Sequence, residues 1–398
     1  MAMGWPGFRV HKLLCMAMVL PLLAVSAGCR QSPWTLWNAY AAHFIDAQGR
    51  VIDPRVADRS TSEGQSYALF FALVDDDRAR FDKVLAWTQA NMAAGDLSKH
   101  LPGWDWGKNK DGAWTVLDSN SASDADIWMA YTLVEAGRLW KAPGYTSLGR
   151  AMLVQIARQE VVDLPGFGAM MLPGPTGFQH DRTATTRSWM INPSYLPLFI
   201  FERLAVVDPQ GPWQRIALNI PRLLQESAVH GYAMDWVEYL PGDGFYPVPA
   251  HEAPEGKEPE QALGSYDAIR VYLWAGMLDE NNRRRTEMLG AVAGMRAYLA
   301  DHDAPPEKIS DEGIPMAQDG PVGFSAALLP YLRAFPQGER TTTKQMLRLS
   351  AQKDAGTGLY GKDQAYYDQN LALFASGFFE GRFKFGQSGE LKVEWTRG

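Results

Sequence analysis

The stretch Asn120–Trp140, NSASDADIWMAYTLVEAGRLW, puts two carboxylates at the mouth of a helix. Ser121 or Ser123 is placed to cap it, Asp124 and Asp126 fall in the first turn, and Ile127, Ala130, Tyr131 and Val134 recur at helical spacing. That pattern predicts one packed apolar face and an acidic rim. Acids in a first turn gain roughly 0.3–1 kcal/mol from the helix dipole, so capping alone accounts for one such pair. The same device occurs twice more, however. In Ser60–Leu73 (STSEGQSYALFFAL) a Thr/Ser cap and Glu63 precede a helix carrying Tyr67, Phe70 and Phe71. In Gly264–Met277 (GSYDAIRVYLWAGM) Ser265 and Asp267 precede Ile269, Tyr272 and Leu273.

Working outward, further segments share this polar start and apolar body: Ser32–Phe44, Asp82–Met92, Tyr145–Gln159, Trp189–Leu204, Pro212–Ser227, Arg284–Ala300, Gly320–Leu332 and Asp363–Phe379. The Gly/Trp-rich stretch Leu101–Leu117 reads as a loop or short hairpin, and Leu164–Phe178 as a Gly/Pro-rich loop. Val229–Ala262 reads as irregular, with a mobile surface segment over 247–261, and strand alternation is confined to short pieces such as Arg382–Phe385. Helices in pairs with long rim loops predict an all-α fold, an (α/α)6 barrel built as a closed ring of helical hairpins. The inner helices of such a ring run the same way, so Glu63, Asp124 and Asp267 would line one cleft.

A chain of 398 residues, 46% hydrophobic and 21% charged, is able to bury a sizeable core. Its net charge of -7, without a basic stripe, argues against a nucleic-acid partner. The 14 Trp, 15 Tyr and 17 Phe suit a groove that stacks sugar rings, with about half of them expected in the core. Trp104, Trp106 and Trp114 precede the Asp124 helix and are candidates for that stacking, with packing under the loop as the alternative.

Residues 1–28 read as an export signal: Arg9, His11 and Lys12 precede an apolar run from Leu13 to Val25 that is too short to span a membrane, and a small-residue cleavage site follows. Residues 29–398 then form a single domain. With Arg9 and Lys12 removed, 36 basic residues face 45 acidic ones, a net charge of -9. Cys15 lies in the signal and Cys29 beyond it, so no internal disulfide is expected. Ser26–Cys29 is similar to a lipobox, which leaves a lipid anchor at Cys29 or a soluble periplasmic or secreted form; serine is unusual at its first position, which favours the soluble form.

Two carboxylates in an aromatic groove are the equipment of glycoside hydrolysis, one protonated to serve the leaving oxygen and one ionised to activate water or attack directly. Glu63, followed by Tyr67 and Phe70, is the better candidate for the raised pKa, and Asp267, near Arg270, for the ionised partner. The histidines lack metal-site spacing, Asp124-x-Asp126 lacks the rest of a calcium loop, and no GxSxG elbow or phosphate loop is present. No metal and no cofactor is expected.

The segment ASDADIWMAYTLVEAGRLW (122–140) resembles the signature of glycoside hydrolase family 8, with only Thr132 departing from the usual small Ser or Ala. TSEGQSYALFFAL, WDWGK, NPSYLP, SYDAIRVYLW and GPVGFSAALLP resemble the same family, in particular the periplasmic endoglucanases of bacterial cellulose synthase operons. The likeness runs from about Trp34 to the C-terminus. It implies an (α/α)6 barrel and endo-acting hydrolysis of a β-1,4-glucan chain, cellulose, with inversion. It also implies Glu63 as proton donor, Asp267 as the base that activates water, and Asp124 as the acid holding a distorted central sugar. The residues themselves favour Glu63 as the acid but do not divide Asp124 from Asp267. Tyr67, Trp104, Trp128, Tyr195 and Arg270 are candidate substrate-binding residues, each with packing as its alternative. The cellulose synthase or secretion complex is the implied partner. Two other readings stay open: the same fold acting on chitosan, xylan or mixed-linkage glucan, and a non-catalytic glucan-binding scaffold, against which three rim acids argue.

Overall fold

The computed structural model describes residues 1–2, 32–183, 185–250 and 261–396; the signal segment, Cys29 and most of 247–261 lie outside it. Among the described residues are thirteen α-helices: α1 (Thr35–Phe44), α2 (Ser62–Val74), α3 (Arg78–Met92), α4 (Ser123–Leu139), α5 (Pro143–Gln159), α6 (Leu198–Val207), α7 (Trp213–Ser227), α8 (Ala268–Met277), α9 (Arg285–Ala291), α10 (Gly294–Asp301), α11 (Val322–Arg333), α12 (Glu339–Ala351) and α13 (Tyr366–Phe379). They fall into two kinds. α2, α4, α8 and α11 are buried on nearly every side: 12 of 13 residues in α2, 15 of 17 in α4, all 10 of α8. α3 and α5 bury one stripe each, Phe81, Val84, Leu85, Thr88 and Met92 in the first and Gly149, Met152, Leu153 and Ile156 in the second. Those stripes follow the i, i+3, i+4, i+7 spacing of an amphipathic helix lying on an inner layer.

The enclosed helices meet in an aromatic centre. Phe70 of α2, Trp128 of α4, Trp274 of α8 and Phe374 of α13 lie within 5.0–5.4 Å of one another's ring centroids in successive pairs. Phe385 stacks on Phe199 of α6 at 3.8 Å. Two close helix crossings depend on glycine. A Cβ on Gly276 of α8 would stand 2.2 Å from the Tyr331 backbone nitrogen of α11, and one on Gly149 of α5 2.9 Å from the Ala130 carbonyl of α4.

Strands are more prominent than the sequence pattern predicts. In chain order they are β1 (Ser60–Thr61), β2 (Asp105–Lys108), β3 (Trp114–Asp118), β4 (Val161–Leu164), β5 (Gly168–Met171), β6 (Gln179–Asp181), β7 (Arg187–Ile191), β8 (Val237–Leu240), β9 (Gly244–Pro247), β10 (Phe383–Phe385) and β11 (Leu391–Val393). β2 and β3 form the hairpin anticipated in Leu101–Leu117, and β1 joins them as a third strand just before Glu63. The other sheet of consequence is four-stranded and antiparallel, β6-β7-β8-β9. It claims part of Val229–Ala262, read as irregular, and the start of Trp189–Leu204, read as helix, because each strand is only three to five residues long and gains its partner from outside its own window.

Other corrections have local causes. Trp189–Leu204 is not one helix: β7 runs to Ile191, Asn192 starts a 3-10 turn by accepting the Ser194 N–H at 3.0 Å, and α6 begins only after Pro197. Arg284–Ala300 is broken into α9 and α10, where Gly294 donates to the Gly231 carbonyl at 2.8 Å. α12 was not anticipated; it carries three consecutive threonines, poor helix formers, and buries only Thr342, Gln345 and Leu349. Neither Ser121 nor Ser123 caps α4, and Ser265 does not cap α8.

Candidate active site

Glu63 is the one residue of α2 that is not buried, with 20% of its side chain exposed at the helix start. Thr61 supplies the cap, its Oγ1 accepting the Gly64 N–H at 3.2 Å, so the Glu63 carboxylate is released from capping. Asp124 sits in the first turn of α4 with 5% of its side chain exposed, and Asp267 stands at the N-cap of α8 with 29% exposed.

One cation joins them. Arg270, one turn into α8 and itself 4% exposed, donates from Nη1 to Glu63 Oε2 and from Nη2 to Asp267 Oδ1 at 2.7 Å. Nη2 also reaches Ser194 Oγ at 2.9 Å and lies 3.7 Å from Asp124 Oδ2. Oxygens bonded to the two terminal nitrogens of one planar guanidinium are within ~8 Å of each other. Segments some two hundred residues apart thus present two acids to the two terminal nitrogens of one guanidinium.

Of the three carboxyls around this single cation, two are pushed upward. Burial pushes Glu63 up, Arg270 pulls it back, and the Asp267 charge adds to the rise. Asp124 is pushed up to about 7, by burial first, against Arg270, with Glu63 and Asp267 adding to the shift. Its Oδ1 accepts the Ala125 N–H at 2.8 Å, which steadies the charged form without offsetting the burial. Among the described residues no group of three or more His, Cys, Asp or Glu is arranged to hold a metal ion.

The model of the family Glycosyl hydrolases family 8 matches residues 7–381. The chain belongs to glycoside hydrolase family 8. It is similar to an endoglucanase of Xanthomonas axonopodis pv. citri (strain 306), 44% identical over 95% of this chain and 94% of that one. An endoglucanase of Escherichia coli (strain K12) is 42% identical over 95% of each. Among solved structures it is similar to the endo-1,4-D-glucanase from Vibrio fischeri ES114, at 35% identity and a TM-score of 0.79, covering 92% of this chain and 100% of that one. As a family 8 member the chain is a glycoside hydrolase.

In this family 8 hydrolase the candidate binding residues divide by exposure. Trp128 is 1% exposed and packs against Phe70, Tyr67 and Phe374, so it has no open face for a sugar; Tyr67, 2% exposed, is likewise enclosed by Trp128 and Phe374. Both were candidates for contact and prove to be the floor beneath the acids. Arg270 donates from its terminal nitrogens to Glu63, Asp267 and Ser194, which makes it the organiser of the cluster. Tyr195 is half-buried, 5.6 Å from the Arg270 guanidinium and 6.5 Å from Trp236, which in turn stacks on Phe178. Trp104 is half-buried under Arg59 at 4.8 Å; its carbonyl accepts the Ser62 N–H and its N–H donates to Asn120, tying the approaches to Glu63 and Asp124 together. Trp106 is buried, while Trp114 is exposed and stacked on it, with Arg50 over both rings. On the Asp267 side a cavity of about 340 Å³ is lined by Tyr266, Tyr367, Glu307 and Arg55.

Beneath Asp124 lies a pair of acids: Asp126, expected at the rim, and Glu160, which no local pattern singles out. Asp126 and Glu160, both fully buried, face each other; Ser121 Oγ donates to Glu160 Oε1 at 2.5 Å, and among the described residues no other donor reaches Glu160 Oε2 or either Asp126 oxygen. Two carboxyls in such contact share a proton. Burial and Glu160 drive Asp126 well above the usual range; burial pushes Glu160 up to about 7. A carboxyl whose pKa is raised on folding stabilises most below its unfolded value, and that contribution is lost as pH rises through the folded one, here between roughly 4 and 7. Glu160→Gln offers Asp126 an N–H in place of the shared proton. It is expected to raise Tm at pH 8 and to leave it nearly unchanged at pH 4.5, by calorimetry; a Tm lowered equally at both pH values contradicts the shared proton.

Proposed function

We infer that this hydrolase is an endo-β-1,4-glucanase that cleaves internal bonds of cellulose chains with inversion of the anomeric carbon. The observation that carries the reading is the graded exposure of three acids around one buried guanidinium. Asp267, the most open, suits the base that takes a proton from the attacking water as its oxygen bonds to C1. Glu63, partly enclosed and shifted upward, suits the acid that protonates the leaving oxygen as the C1–O bond breaks. A bound sugar strips the remaining water from Glu63 and favours its protonated form further. Asp124, nearly enclosed between the two, suits a hydrogen-bonding hold on the distorted central sugar. The likeness to endoglucanases brings the glucan to this reading.

The layering of enclosed helices inside amphipathic ones supports the (α/α)6 barrel as the architecture, and residues 29–398 as one catalytic domain behind an export signal at 1–28. A periplasmic or secreted site of action follows, soluble or with a lipid anchor at Cys29, near a cellulose synthase or secretion complex. Mass spectrometry of the mature N-terminus separates the anchored from the soluble form. For the chemistry, proton NMR of cellopentaose hydrolysis at early times is expected to show the α-anomer first. Appearance of the β-anomer first means retention and rejects Asp267 as a base acting on water. Release of reducing ends from carboxymethylcellulose tests the substrate, and activity confined to chitosan or xylan rejects cellulose.

A further inference from the structure

Asp267 stands at the N-cap of α8 with helical backbone angles, φ -78° and ψ -54°, and its side chain makes no capping bond. An aspartate at a helix start ordinarily turns back onto the free amides of the first turn, which would withdraw this carboxylate from the cleft. Here the Ile269 and Arg270 amides donate to the Ser265 and Asp267 carbonyls, each at 3.1 Å, and Asp235 binds the amides on either side of Asp267. Its Oδ1 accepts the backbone N–H groups of Ser265 and Ala268, each at 2.8 Å, and its Oδ2 accepts the Ser265 hydroxyl. Asp235 is held in turn by its own N–H, which donates to the Leu263 carbonyl at 2.9 Å, and by β8, which starts at Val237 and pairs with β7.

We propose that Asp235 is a positioning residue for hydrolysis: by bonding the Ser265 and Ala268 amides on either side of Asp267, it fixes that backbone and holds the Asp267 carboxylate beside Arg270, facing the cleft. The proposal rests on the reading of Asp267 as the base. A contact needed only for stability would be neutral. Ser265 lies two residues before Asp267, is of a preferred capping type, and yet donates its hydroxyl to Asp235. Placing a second carboxylate there sets two like charges close together, and the Asp267 charge, after burial, raises Asp235. The arrangement also ties the base to the start of β8, next to Trp236, which lies 6.5 Å from Tyr195.

The test compares kcat and KM on cellopentaose, with Tm, for the whole chain and four variants: Asp235→Ala, Asp235→Asn, Asp267→Asn, and Asp235→Ala combined with Asp267→Asn. Asp235→Ala is expected to lower kcat about 10²-fold, as an ångström-scale misplacement does, with KM within about threefold of wild type. Asp235→Asn keeps an acceptor for both amides and restores most of that loss. On the Asp267→Asn background, Asp235→Ala is expected to add less than threefold, because its effect passes through the residue already disabled. Equal losses in both backgrounds, or wild-type kcat in Asp235→Ala beside an inactive Asp267→Asn, overturn the proposal and leave the base assignment standing. Full activity in Asp267→Asn removes the base assignment itself. Should the alanine variant fail to fold, Asp235→Glu, which shifts the acceptor by one methylene, is expected to give the same split between kcat and KM; unchanged kcat there overturns the proposal.

Discussion

Glu63→Gln is expected to lose about 10³-fold or more in kcat on cello-oligosaccharides while losing far less on a dinitrophenyl cello-oligosaccharide. Glutamine keeps the shape of the side chain and an oxygen that accepts from Arg270, so the cluster survives the change. What it lacks is a proton to give. A sugar hydroxylate leaves poorly without one, and general acid assistance is worth roughly 10²–10⁴-fold. Dinitrophenolate leaves unaided, so the two substrates separate a missing proton from a damaged site. Equal losses on both would show that Glu63 acts through structure and not as the acid. The direction of its shift supports the assignment: burial and the neighbouring Asp267 charge keep a proton on Glu63 to higher pH than an exposed glutamate keeps one, even with Arg270 opposing.

Arg270→Leu is expected to be the most destabilising single change in the cleft. Removing one partner of a buried ionic cluster costs about 3–5 kcal/mol, because the remaining charges lose their compensation. Here Glu63, Asp124 and Asp267 would face one another with no cation between them. Their carboxyls would bind protons more tightly in the folded chain, and a raised folded pKa means stability lost as pH rises. The deficit in Tm relative to wild type should therefore be larger at pH 8 than at pH 5, read by calorimetry at both. Arg270→Lys should not restore activity, since an ammonium is a point charge and does not span Glu63 Oε2, Asp267 Oδ1 and Ser194 Oγ from two nitrogens of a rigid plane. A deficit independent of pH would mean that the guanidinium matters for packing alone.

The three acids were legible before any coordinates because their signal is short-range. Thr61 before Glu63 and the apolar periodicity of α2 are contained in one window of residues, as are the helical body behind Asp124 and the start of α8 at Asp267. The motif likeness across the chain then supplied the family, which the comparison over residues 7–381 establishes. Reading failed where identity is decided by a partner elsewhere. Trp128 looks the same in sequence whether its ring meets a sugar or Phe374. The strands β6 to β9 are too short to declare themselves without one another.

Sequence alone therefore determined that acids stand at helix starts, that the chain is rich in helices, and that it belongs with family 8, because caps, periodicity and motifs are local properties. Tertiary structure decided what those acids are. It enclosed Asp124 and left Asp267 open, gave Glu63 and Asp267 the same guanidinium, tied the start of α8 to Asp235, and set Asp126 against Glu160. The physical reason is that the charge state and reach of a carboxyl follow from burial and from the groups facing it. Those groups arrive from segments tens to hundreds of residues away, whose approach no local pattern encodes.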